Sequence, residues 1–262
     1  MDMKKFLAII LASVAALCAC ATSNYQFERN IAYRSNEPMC NLDVAYMQGG
    51  EPKPVVVWLH GGGLTGGKKE VPEMLLRDSL VVVGVEYRLS PAATIDEIID
   101  DAAAAVAWTL ANISKYNGNP RKIFLAGHSA GGYLIDMVAL DKTRLAKYGF
   151  DSDSLAGVVP FSGQCITHFE ARNRQGIPAL QPTIDALAPL YHVRGNCPPC
   201  LIIAGDREKE MLGRYEEQAY FWRMLKLAGL KDATLYEMDG YDHGMMAFPA
   251  FPLLLNFIRQ HK

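Results

Sequence analysis

Five short runs of apolar, mostly β-branched residues punctuate the chain, at positions 55–60, 80–87, 123–128, 157–161 and 201–204. Their apolar character is nearly continuous rather than alternating, which predicts strands buried on both faces, as in a parallel sheet. Between them the period lengthens to that of a helix. In residues 95–116, Ile98, Ile99, Ala102, Val106 and Leu110 fall on one side, and the run Ala102 to Ala105 would let the helix approach a sheet closely. Residues 133–140, 212–228 and 248–260 read similarly, and residues 234–238 read as a last strand. Residues 27–33 and 42–46 predict antiparallel strands at the leading edge. Strands alternating with helices predict an α/β fold, a mostly parallel, doubly wound sheet with helices on both faces and right-handed crossovers. No repeat or low-complexity linker interrupts the pattern.

One stretch breaks the alternation. Residues 164–194 are polar, contain Gly176, Pro178, Pro182 and Pro189, and show no clean period. They predict irregular, cap-like loops and short helices over the carboxyl ends of the strands, where ligands of such folds bind.

Composition narrows the possibilities further. The chain has 262 residues, half hydrophobic and about a fifth charged, a profile that one α/β domain can absorb. The formal net charge of −2 supplies no basic field for a phosphate backbone, so nucleic acid is excluded as an expected partner. Lys4 and Lys5 precede an uncharged run, 6–21, too short to span a bilayer, and this reads as a secretory signal over residues 1–19. The segment Leu17-Cys18-Ala19-Cys20 resembles the lipobox of bacterial lipoproteins, which would make Cys20 the acylated first residue of a mature domain, 20–262. Cys18 departs from that pattern, and ordinary cleavage after Ala19-Cys20-Ala21 is the alternative. The expected location is therefore a membrane-anchored lipoprotein of the periplasm or cell surface, or a secreted protein. In an oxidising compartment Cys40, Cys165, Cys197 and Cys200 could pair. The spacing Cys197-Pro-Pro-Cys200 leads directly into an apolar run and lacks a second ligand pair, which disfavours both redox catalysis and zinc. A disulfide or two idle thiols remain.

The candidate chemistry sits at strand ends. Gly127-His128-Ser129-Ala130-Gly131 follows one predicted strand and precedes a helical segment, the setting of a nucleophile elbow. A serine on so sharp a turn is presented to substrate, with a helix start aiming free N–H groups at it. His60-Gly61-Gly62-Gly63 follows the first core strand, where backbone N–H groups of Gly62 and Gly63, joined by that of Ala130, would hold an oxyanion. Residues 62–69 also approach the phosphate-binding pattern G-x-x-x-x-G-K-[ST], but Lys69 stands where the hydroxyl should be. An elbow of this type is followed along the chain by its acid and then its histidine. Of six histidines only His243, in Gly240-Tyr241-Asp242-His243-Gly244, satisfies that order. For the acid, Asp206 lies at the exit of the 201–204 strand, with Glu208 and Glu210 as alternatives further into the loop.

Taken together, these motifs resemble the α/β-hydrolase superfamily, most closely the esterases similar to hormone-sensitive lipase and the feruloyl and acetyl esterases of gut bacteria. Tyr87-Arg88-Leu89-Ser90-Pro91 matches a further motif of that branch. Arg207-Glu208 after Asp206 departs from the Pro-Leu common among relatives of hormone-sensitive lipase, and Leu64-Thr65 departs where an aromatic is common. The resemblance implies a serine carboxylesterase acting through an acyl-enzyme on Ser129, with His243 as base and Asp206 as its partner, needing no cofactor or metal. Phe169, Arg172, Arg174 and His168 in the insert suggest short-chain or aromatic acyl groups on a polar alcohol such as a sugar. An amidase or peptidase with the same triad, or a noncatalytic ligand-binding lipoprotein, are the alternatives. No protein partner is inferred.

Overall fold

The computed structural model describes residues 24–77, 79–178, 180–211 and 213–262. The expected signal segment and Cys20 lie outside these residues. Eight strands form one sheet: β1 (Gln26–Ala32), β2 (Asn41–Tyr46), β3 (Lys53–Leu59), β4 (Val81–Val85), β5 (Gly118–His128), β6 (Gly157–Phe161), β7 (Cys200–Gly205) and β8 (Ala233–Met238). Their spatial order is β1-β2-β4-β3-β5-β6-β7-β8. β1 and β2 run antiparallel at the leading edge, and the strands from β4 to β8 pair in parallel. The parallel register puts the carboxyl ends of β3, β5, β7 and β8 on one edge of the sheet, and the loops leaving that edge carry the chemistry.

Helices α1 (Ile95–Asn112), α2 (Ala130–Leu140), α3 (Lys142–Ala146), α4 (Phe169–Arg174), α5 (Arg214–Leu227) and α6 (Ala247–His261) complete the domain. The sheet separates two cores. On one face Val55, Val57 and Leu125 meet Ile98, Ala102 and Val106 of α1 and Leu134 and Val138 of α2. On the other, Trp58 and Phe161 meet Phe251 of α6 with ring centroids 5.4 to 5.5 Å apart. Strands covered on both sides have no polar face, which explains their unbroken apolar runs.

Element ends depart from the sequence pattern where local bonding decides them. The helix expected over 95–116 begins behind Thr94, whose side chain and that of Glu97 form a capping box, but ends at Asn112 and continues as a 3-10 turn, Ile113–Tyr116. The helix expected at 133 starts at Ala130, immediately after Ser129. The 164–194 insert is more ordered than its composition suggests. It contains α4, whose first turn is capped by His168, and Arg172 ties it together by donating to the carbonyls of Thr167 (3.0 Å) and Gln181 (2.6 Å). Cys40, Cys165, Cys197 and Cys200 are buried free thiols. Burial pushes the Cys197 thiol up to about 11, so it stays protonated at neutral pH. No described helix is long and apolar enough to cross a membrane.

Candidate active site

Ser129 occupies the turn between β5 and α2 with φ 55° and ψ −114°, a backbone region a side chain rarely tolerates. The turn can be this sharp because glycines stand two residues to either side of the serine, at 127 and 131. A Cβ on Gly131 would lie 2.0 Å from the carbonyl oxygen of Leu59, so the elbow packs directly on β3. The strain is held in place by the Ser129 N–H, which donates to the Phe161 carbonyl at 2.8 Å. Ala130, the first residue of α2, has no carbonyl one turn earlier in its helix to bond, leaving its N–H free for an incoming oxygen.

The serine hydroxyl lies 2.8 Å from His243 Nε2. On the far side of the ring, His243 Nδ1–H donates to Glu210 Oε1 at 2.5 Å. This corrects the expected acid: Asp206 does not touch the imidazole. Its two oxygens instead accept the backbone N–H groups of Glu208 (2.9 Å) and Gly240 (2.7 Å), pinning the loop after β7 to the loop after β8. The chain then turns, with the Glu210 N–H donating to the Asp206 carbonyl at 2.8 Å. That turn aims the longer glutamate side chain back towards the sheet edge. Asp206 thus shapes the loops from which Glu210 and His243 project.

Glu210 is saturated with donors. Besides His243 it accepts the Ser162 hydroxyl (2.6 Å), the Met211 N–H (2.8 Å) and the Gly205 N–H (3.2 Å). Burial opposes its ionisation, but the bonds from His243 and Ser162 outweigh that and hold its carboxyl down at about 2. Ser162, at the end of β6 with φ 51°, also approaches His243 Nδ1 to 3.1 Å. Its carbonyl accepts from buried Arg214 at 2.5 Å.

His128 was legible only as part of the elbow motif, yet it bonds the loop that carries His243. Its Nε2–H donates to the His243 carbonyl at 2.7 Å, and the two rings lie 4.9 Å apart. Burial, followed by the nearby His243, pushes His128 down to about 4, so it is neutral and its Nε2 carries the proton.

The glycine loop after β3 lies against the elbow: a Cβ on Gly61 would be 3.4 Å from that of Ser129. Gly62 has φ 124°, and a Cβ there would strike the Gly66 carbonyl at 2.1 Å. The Gly62 carbonyl itself accepts from the N–H groups of Thr65 and Gly66 at 3.1 and 3.0 Å, closing the loop. His60 anchors its start through Glu86 (3.1 Å) and a ring stack on Tyr87 at 4.3 Å. Lys69 anchors its end, with its ammonium 2.7 Å from Asp43 Oδ1 and 2.5 Å from Asn30 Oδ1. The lysine of the phosphate-loop-like pattern is thereby committed to the fold.

Beside Gly63, a cavity of about 720 Å³ opens between the insert and α5, lined by Ile166, Phe169, Leu180, Pro182 and Met211 among others. Phe169 reaches the glycine loop: a Cβ on Gly63 would lie 2.9 Å from its ring. Two of the four insert residues expected to contact substrate do other work. Arg174 donates to the Ala93 carbonyl at 2.7 Å, and His168 is buried between Tyr133 and Phe169, its imidazole pushed well below its ordinary value by burial. Arg172 lines the cavity while spending donors on the insert backbone, so the lining is more apolar than the sequence suggested.

Comparison with known proteins assigns the chain's family and its fold. The BD-FAE family profile matches residues 42–212. Esterase LipC of Mycobacterium tuberculosis is 27% identical over 245 residues, covering 84% of this chain and 60% of that protein. Isoprenylcysteine alpha-carbonyl methylesterase ICME of Arabidopsis thaliana is 30% identical over 122 residues, 45% of this chain and 28% of that protein. The chain spans 60% or less of the length of these relatives. Among solved structures, a truncated carbohydrate esterase from gut microbiota superposes with a TM-score of 0.77 at 20% identity, covering 91% of this chain and 97% of the other. Butyrate-bound esterase 2 of Thermogutta terrifontis gives 0.71 at 18% identity, covering 91% and 95%. With the family profile spanning well over half of its length, the chain belongs to the BD-FAE family, on the fold of an α/β hydrolase.

Proposed function

We propose that the protein is a serine carboxylesterase that hydrolyses short-chain or aromatic acyl esters, with acetyl or feruloyl groups on carbohydrate as the favoured substrates. The observation that carries this reading is the continuous relay from Ser129 Oγ through His243 to Glu210, at 2.8 and 2.5 Å. His243 Nε2 takes the serine proton as Oγ bonds to the ester carbonyl carbon, and Glu210 stabilises the imidazolium. The N–H groups of Gly62, Gly63 and Ala130 hold the oxyanion. Collapse breaks the bond to the alcohol, which leaves with the proton from Nε2. Water, deprotonated by the same nitrogen, then releases the acid and restores Ser129.

The cavity supports the acyl preference. Its volume of about 720 Å³ accommodates a cinnamoyl-sized group, and Phe169 offers a ring beside the oxyanion loop. The gut-microbial structural neighbour described as a carbohydrate esterase supports a sugar as the alcohol. Export and acylation at Cys20 complete the proposal, resting on the leader and lipobox-like residues. Comparing kcat/KM for acetyl, butyryl, octanoyl and feruloyl esters tests the substrate. A maximum at acetyl or feruloyl is expected, and one at octanoyl or longer would overturn it. Ser129→Ala should lower kcat by about six orders of magnitude with the fold intact.

A further inference from the structure

The sheet has two chemically different edges. Ser129, Glu210 and His243 follow the carboxyl ends of β5, β7 and β8. At the amino-terminal edge, where β3 and β4 begin and α6 ends, Lys53, Lys122, Arg259 and Lys262 line a hollow of about 320 Å³ in which Glu51 is the single carboxylate side chain among the described residues. Exposed Lys115 and Arg121 add positive charge around the start of β5. Such a concentration stands out on a chain whose net charge is −2.

The described chain also starts at this edge. β1 is antiparallel to β2, and Gln26 pairs with Tyr46, one residue beyond the Ala45 that pairs with Val82 near the start of β4. Tyr25 holds the entry there by donating to the Arg77 carbonyl at 3.4 Å, two residues before Ser79 in the wall of the hollow. Cys20 lies only five residues before Tyr25 in the sequence. Five residues reach at most about 17 Å even when fully extended. An acyl anchor on Cys20 would therefore hold the basic edge against a bilayer, within range of its surface charge. The length of β3 separates that edge from the catalytic loops, roughly 20 Å away at about 3.3 Å per residue.

We propose that the amino-terminal edge docks the protein on an anionic phospholipid surface, with Cys20 as anchor and Lys53, Lys122 and Lys262 as the electrostatic footing, so that the active site faces away from the membrane. The opposite orientation has a physical basis too, because Met245 and Phe248 are exposed beside the catalytic loop. A lipase-like enzyme would dip that edge into lipid. The orientation proposed here instead keeps the cavity open to a polymeric or soluble ester. It rests on the anchored reading of Cys20, and the test removes the anchor so that the surface is measured by itself.

Unacylated chain 20–262 carrying Cys20→Ser should bind vesicles containing phosphatidylglycerol and not vesicles of pure phosphatidylcholine, and added salt should weaken the binding. Each basic side chain contributes about a fivefold factor, so Lys53→Gln, Lys122→Gln and Lys262→Gln together should weaken binding by about a hundredfold. Lys68→Gln on the catalytic side should leave it unchanged. Hydrogen exchange on the vesicles should slow at residues 50–54, 119–123 and 257–262. Equal binding to both lipids, an undiminished triple variant, or protection at residues 241–248 would each overturn the proposal. Ester hydrolysis is measured separately, so a failed docking surface and a failed esterase assignment give different results.

Discussion

Glu210 Oε1 accepts the Nδ1–H of His243 at 2.5 Å while Glu210 Oε2 accepts the Ser162 hydroxyl at 2.6 Å. One carboxylate therefore fixes both the tautomer and the tilt of the imidazole, because its own orientation is set by a hydroxyl from the neighbouring strand. Each of its oxygens also holds a backbone N–H, so rotation of the carboxyl would break several bonds at once.

Glu210→Gln should lower kcat by about 10⁴-fold, since an amide can donate to Nδ1 and so select the tautomer that cannot accept the serine proton. Asp206→Asn should instead lower thermal stability while keeping kcat within about tenfold of the unmodified enzyme. Kinetics with p-nitrophenyl acetate alongside a melting curve distinguishes the two. If Asp206→Asn were the more severe in kcat, Glu210 would not be the histidine's partner.

Ser162→Ala removes one donor from Glu210 and leaves the Gly205 N–H on the same oxygen. A hydrogen bond to a charged group contributes about 1.5–3 kcal/mol, so kcat should fall by roughly 10- to 100-fold with KM little changed. A larger effect on KM than on kcat would mean that Ser162 contacts substrate instead of positioning the carboxylate.

Much of this arrangement was readable from residues alone, for reasons that also mark the limit. Buried parallel strands advertise themselves because both faces are apolar, and the elbow does so because Gly131 must meet Leu59 where no side chain fits. The histidine followed from chain order. The acid did not, because the choice between Asp206 and Glu210 depends on a turn whose backbone bond, Glu210 N–H to Asp206 carbonyl, leaves no periodic signature. His128 acts through a contact 115 positions away and Ser162 through contacts 48 and 81 positions away, which no local pattern encodes. The insert misled in the other direction: its arginines suggested substrate contacts, but Arg172 and Arg174 bond carbonyls of their own scaffold.

Stability should fall on acidification in two stages. His128 is held at about 4 in the folded state against an ordinary value of 6.5, so between these limits the unfolded chain binds the extra proton and unfolding gains. Glu210, at about 2 against 4.5, contributes stability that is complete above the higher value and is lost as pH falls towards the lower. His128→Gln should flatten the melting temperature between roughly pH 6.5 and 4, a component of about 3 kcal/mol at most, and leave the lower stage in place. An unchanged upper slope in that variant would place the responsible group elsewhere.

Phe169 offers the sharpest test of acyl specificity, because its ring packs against the glycine loop at Gly63 and lines the cavity at once. If the ring packs on an aromatic acyl group, Phe169→Ala forfeits that contact only for substrates long enough to reach it. An aromatic contact in a partly buried site contributes about 0.5–1.5 kcal/mol beyond simple burial, and the lost apolar area adds to this. We therefore expect kcat/KM for methyl ferulate to fall about tenfold more than for p-nitrophenyl acetate. If both fell equally, the ring would serve only to support Gly63, and the acyl group would have to lie along Ile166 and Met211 instead. Phe169→Leu separates these outcomes further: it retains bulk against the loop and should restore acetate hydrolysis while leaving ferulate hydrolysis impaired.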